Sequence, residues 1–144
     1  MSALAPTRRF DEVEVGDELP ELAIEITPTL VIAGAIASRD YQDVHHNVEL
    51  ARERGTKNIF MNILTTNGLI SRYVNDWAGP EARFRGIEIK LGAPNYPGDT
   101  MNLSGQVASK TLEDGAGQVD VTLVGKNGIG KHVTATVHLV LPTG

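Results

Sequence analysis

The hydrophobic period changes from helical to alternating at Gly79-Pro80, and that change restricts the fold more than any other feature. Before it, Met61–Ala78 is the longest helical pattern. Ile63, Leu64, Leu69, Ile70, Val74 and Trp77 supply an apolar face, interrupted by Thr65, Thr66, Asn67 and Gly68. Gly68 reads as a place where a sheet could come close. The pattern stops at Gly79-Pro80, where proline disfavours helix in the residue before it. After it, apolar residues recur at every second position, the period of a strand. Phe84–Leu91, Thr100–Thr111, Val119–Lys126 and Lys131–Leu141 read as strands. Turns fall at Ala93–Gly98, Glu113–Gly117 and Asn127-Gly128, the last a hairpin signal.

Upstream, the elements are shorter. Leu22–Ile26 alternates weakly and reads as a strand. Thr29 is a candidate cap for a helix over Leu30–Ser38, apolar enough to be buried on most sides. That helix would deliver Arg39 and Asp40 at its C-terminal end. Asn47–Arg54 is a short helix with Asn47 as its cap and Gly55 as its left-handed stop. Residues 1–20 are polar and read as wandering before the domain closes, so 1–19 is set apart as an N-terminal extension and 20–144 as the domain. One weak strand, three helical pieces and an antiparallel meander make an α+β class. A sheet of four or five strands on one helix leaves open edges, so a dimer or higher oligomer is expected.

Composition excludes several functions. The chain has no cysteine, which rules out disulfides and thiolate chemistry. The formal net charge of -5 argues against binding a phosphate backbone, and so against nucleic acid. The longest apolar run, Leu30–Ala37, is far short of the roughly 20 residues that span a bilayer. With no signal-like N-terminus, a cytoplasmic protein is expected.

Chemistry points to the stretch Asp40–Leu69. A carboxylate and an imidazole five residues apart on a loop can converge on one water, taking a proton from it and returning one elsewhere. Spacing alone leaves open a capping Asp40 and a surface His45. Backbone N–H groups at the start of the long helix, on Asn62 or Ile63, could stabilise a developing negative charge. Asp43, His45 and His46 lack the spacing of a metal site, and His132 and His138 lie on a distant strand. The basic groups Arg52, Arg54, Lys57 and Arg83, Arg85, Lys90 read as solvated faces, either of which could meet a phosphate.

Taken together, these residues resemble the MaoC-like enoyl-CoA hydratases of the hot-dog fold. That family carries an Asp-x-Asn-Pro-x-His motif, which stands here as Asp40-Tyr-Gln-Asp-Val-His45. Its later Pro-Gly-Asp-Thr turn stands as Pro97–Thr100. The phrases SRDYQDVHHN, NIFMNILTTNGL and RYVNDWAGP look more narrowly like the small subunits of actinobacterial hydratases of steroid side-chain degradation. The resemblance implies an antiparallel sheet wrapped around one long central helix. It implies Asp40 and His45 as catalytic residues, with Tyr41 and Gln42 orienting them and Asn62 and Ile63 binding the thioester oxygen. It implies an acyl-CoA substrate, with coenzyme A part of that substrate and no separate cofactor, and a larger MaoC-like partner in a heteromer. Two departures stand out: Gln42-Asp43 replaces Asn-Pro, and Asn62 stands where the family usually has glycine. A hot-dog thioesterase and a non-catalytic partner subunit are the alternatives.

Overall fold

A computed structural model describes residues 5–144. Its strands are β1 (Glu18–Glu25), β2 (Arg83–Leu91), β3 (Thr100–Glu113), β4 (Ala116–Lys126) and β5 (Lys131–Leu141). Its helices are α1 (Pro28–Ala37), α2 (Val48–Glu53) and α3 (Ile63–Ala78). The strands form one antiparallel sheet in the order β1-β3-β4-β5-β2. It curls around α3, which buries Thr66, Ile70, Tyr73, Val74 and Trp77. Facing them are Met101, Leu103 and Val107 of β3, Val119, Val121 and Leu123 of β4, and Val133, Val137 and Leu139 of β5. Strict alternation puts these residues on one face and leaves Asp120, Thr122, Thr134, Thr136 and His138 on the other. This is the expected helix wrapped in an antiparallel sheet.

The turns follow their residues. Asp114 and Gly115 have φ of 49° and 74°, the two positive values a two-residue type I′ hairpin needs. The second hairpin differs from its Asn-Gly signal. The Asn127–Gly130 loop is four residues long, closed by Asn127 Oδ1 accepting from the N–H groups of Ile129 (2.9 Å) and Gly130 (3.1 Å). In the turn before β3, Gly98 has φ 95° and Asp99 N–H donates to Tyr96 O at 3.3 Å, a type II turn with Pro97 and Gly98 at its centre.

Four expectations are corrected. The N-terminal segment does not wander. Phe10 and Val13 lie in the core, Arg8 N–H donates to Ala78 O at 2.9 Å, and β1 starts at Glu18. Phe10 fits because Gly117 opposite has no side chain; a Cβ there would sit 2.7 Å from the ring. Helix α1 begins two residues early, at Pro28. Thr27 caps it, its Oγ1 accepting from Leu30 N–H at 3.0 Å, because Pro28 is suited to the first helical position. That helix also buries only Val31 and Ala35, leaving Ile36 exposed. Gly68 meets no sheet: a Cβ there would have nothing within 4 Å, since it faces outward between α1 and α3. Among the described residues, no helix is long and apolar enough to cross a membrane.

Candidate active site

Asp40 owes its position to how α1 ends. Arg39 takes a left-handed φ of 57°. Its N–H donates to Ile36 O at 3.1 Å and the Asp40 N–H to Ala35 O at 2.9 Å, the paired bonds of a Schellman ending. A left-handed arginine costs about 1–2 kcal/mol against glycine, and strain of this kind concentrates beside functional groups. The chain then makes a 3-10 turn over Asp43–His45, with the His45 N–H donating to Gln42 O at 3.1 Å.

This turn buries His45 and brings its Nε2 to 3.3 Å from Asp40 Oδ2. Its Nδ1 lies 2.7 Å from Phe60 O. A carbonyl can only accept, so Nδ1 carries the proton and, in the neutral ring, Nε2 presents its lone pair to the Asp40 side. The Phe60 ring stands edge-on to the imidazole at 4.9 Å and 81°. Two acceptors thus face each other across a short gap, one fixed by a backbone carbonyl and one by a buried amide.

That amide is Asn62. It is almost fully buried, and its Nδ2 donates to Asp40 Oδ2 at 3.0 Å and to Ser38 Oγ at 2.9 Å. Its Oδ1 accepts from the N–H (3.0 Å) and hydroxyl (2.5 Å) of Thr65, capping α3. The Asp40 carboxyl is held below the ordinary carboxylate range, first by the Asn62 amide, then by the Gln42 N–H and by the positive charge of His45 when its ring is protonated, against the opposing effect of desolvation. At neutral pH it is a carboxylate.

The long helix starts at Ile63, two residues after the expected Met61. Met61 is held extended by its N–H donating to Asn95 O at 3.0 Å. Asn62 is therefore the cap, and Ile63 is the first helical residue. Among the described residues, no acceptor within the chain takes the backbone N–H of Asn62, Ile63 or Leu64, and the Asn62–Asp40 bond sets this positive end of α3 beside Asp40. Gln42 touches Asp40 through its backbone, N–H to Oδ1 at 3.3 Å. Tyr41 stands apart: its ring is exposed, and its carbonyl accepts from the His46 ring at 3.1 Å. Asp43 is paired with Arg54 at 2.6 Å. His45, His46 and Asp43 thus point to three different partners.

The side-chain roles of Asn62, Ser38, Thr65 and the Phe60 carbonyl were not read from the sequence. The one available signal was that asparagine at a helix start is a preferred cap.

The remaining histidines divide. His132 is buried, its Nδ1 donating to Ala93 O at 2.7 Å and its Nε2 accepting from Thr66 Oγ1 at 2.9 Å. His138 lies on the outer face between Asp120 (2.6 Å) and Glu88 (3.0 Å).

Residues 12–128 match the model of the MaoC like domain. The chain belongs to the MaoC-like domain family. This MaoC-like chain is 49% identical over 125 residues to the 3-oxo-4,17-pregnadiene-20-carboxyl-CoA hydratase beta subunit of Mycobacterium tuberculosis, covering 87% of this chain and 94% of that one. It is similar in structure to a chain of the ChsH1–ChsH2 complex from Mycobacterium tuberculosis, with a TM-score of 0.83 and 48% identity over 89% of this chain and 98% of that one. It also matches the (R)-hydratase from A. caviae involved in PHA biosynthesis, with a TM-score of 0.80 over 90% of this chain and 98% of that one. At 20% identity, that last likeness establishes the shared hot-dog fold.

Proposed function

We propose that this MaoC-like chain is the catalytic subunit of an enoyl-CoA hydratase, adding water across the double bond of a 2-enoyl-CoA that is the side-chain thioester of a steroid. The observation that carries the reading is the 3.3 Å approach of His45 Nε2 to Asp40 Oδ2 beside the N-terminus of α3. The substrate class follows the hydratase beta subunit that is 49% identical to it.

Hydration joins a hydroxyl to the β carbon and a proton to the α carbon of the thioester. A water resting on Asp40 and His45 donates one O–H to each. A lone pair of its oxygen is then turned toward the β carbon. As the C–O bond forms, its proton passes to Nε2. The imidazolium so formed is stabilised by the Asp40 carboxylate and by its Nδ1–H bond to Phe60 O. Electron density moves onto the thioester oxygen, which takes N–H bonds from Asn62 and Ile63 at the positive end of α3. The imidazolium then returns a proton to the α carbon. Asn62 thus serves twice, its backbone facing the substrate and its side chain holding Asp40. No metal or organic cofactor takes part in these steps.

The hydratase works with a larger MaoC-like subunit. Two features of this chain support that. Ile36 near the end of α1 and Ile63 and Leu64 at the start of α3 are exposed apolar residues, and β2 is an edge strand with one side unpaired.

The test uses the complex with that subunit and a steroid-derived enoyl-CoA. Asp40→Asn and His45→Ala should each slow loss of the enoyl absorbance by about 10²–10⁴-fold. Unchanged rates would remove the assignment. Release of free coenzyme A in place of hydration would make the chain a thioesterase.

A further inference from the structure

Gly34 is where α1 crosses α3, and a line of contacts runs from it to Asp40. A Cβ on Gly34 would overlap Thr65 Oγ1 and lie 2.9 Å from its Cγ2, so glycine is needed here for space. Thr65, seated against that gap, gives both its N–H and its hydroxyl to Asn62 Oδ1. Ser38, one turn beyond Gly34, donates to Gly34 O at 2.7 Å and accepts from Asn62 Nδ2 at 2.9 Å. An amide has two N–H donors and two acceptor lone pairs. Asn62 uses all four: two on Thr65, one on Ser38 and one on Asp40. Its plane therefore has one allowed orientation, set by the contact between α1 and α3.

We infer that Thr65 and Ser38, seated against Gly34, are positioning residues that aim Asp40 by fixing the Asn62 amide. Neither touches the reacting atoms in this arrangement. The inference rests on the catalytic role of Asp40 proposed above. Its consequence is that side-chain size at residue 34, on a different helix, governs the carboxylate.

The test follows the Asp40 carboxyl by carbon NMR titration and kcat by hydration assay, both in the assembled complex. Gly34→Ala should move the carboxyl titration up toward the ordinary value. It should also lower kcat by roughly tenfold to a hundredfold, the scale of an ångström-level misplacement. Thr65→Val, which keeps shape and loses the hydroxyl, should move both in the same direction by less. Thr65→Ser should restore them. Where Gly34→Ala fails to fold, the Val and Ser pair carries the test. An unmoved Asp40 titration in folded Gly34→Ala or Thr65→Val overturns the inference. A titration that moves while kcat holds overturns the aiming of Asp40, whereas wild-type kcat in Asp40→Asn is what would sink its catalytic role.

Discussion

The Nδ2 of Asn62 lies 3.0 Å from Asp40 Oδ2, across 22 residues of sequence. One buried side chain therefore does two jobs: it caps the central helix and it holds the carboxylate. The family's usual glycine at this position could do neither with a side chain, although its backbone N–H would remain.

That substitution separates the two jobs. Asn62→Gly costs the cap only about a few tenths of a kcal/mol, but it removes a hydrogen bond to a charged group worth about 1.5–3 kcal/mol. Chemical denaturation at pH 7 should show a loss of about 2 kcal/mol. The folded Asp40 carboxyl titrates below its unfolded value. The stabilisation it brings is thus present above the unfolded value and fades as pH falls through the folded one. The difference between wild type and Asn62→Gly should shrink on acidification in that order.

Arg39 holds the left-handed position that turns the chain toward Asp40. Arg39→Gly should be close to neutral in thermal denaturation: relief of about 1 kcal/mol of strain is offset by a similar gain in unfolded-chain freedom. Arg39→Val, β-branched at positive φ, should lose more than about 1 kcal/mol and lower kcat by misplacing Asp40. A valine variant with full activity would show that the left-handed turn is not what places the carboxylate.

Two histidines on β5 should give pH dependences of opposite sign. His138 is raised, chiefly by Glu88 and then by Asp120. Its stabilisation is complete below the unfolded value of about 6.5 and is lost as pH climbs through the folded one. His132 is lowered by burial. Its neutral form stabilises above about 6.5, and that contribution is lost as pH falls toward the folded value. Urea unfolding across pH 5 to 9 should show His138→Gln flattening the alkaline decline, whereas His132→Gln flattens the acid one.

Phe10 ties the N-terminal segment to the sheet over Gly117. Phe10→Ala should cost about 3 kcal/mol by leaving a cavity, measured as a shift in the unfolding midpoint. A change within a few tenths would mean that this segment is not part of the cooperative unit.

The meander was legible because its strands alternate strictly and their turns use residues suited to positive φ. The strand boundaries of β4 and β5 fall within a few residues of where the alternation put them. Asn47 was readable as a cap for the same local reason. Asp40 and His45 were legible as a motif. The parts that escaped depend on contacts distant in sequence. Ser38 and Asp40 meet Asn62 only after α1 crosses α3, and Phe60 O reaches His45 from 15 residues away. Gly68 was misread because the residue type says a backbone can come close without saying on which face; the close approach is at Gly34 instead. The true start of α3 was hidden because the Asn95 carbonyl, on another loop, holds Met61 extended.

The most direct measurement is a double-mutant cycle on hydration of a steroid-derived enoyl-CoA by the assembled complex. If Asp40 and His45 act on one water as a single unit, the double variant Asp40→Asn/His45→Ala will be about as slow as the slower single variant, because groups acting together are not additive. Losses that multiply, or a double variant with wild-type kcat, would contradict it.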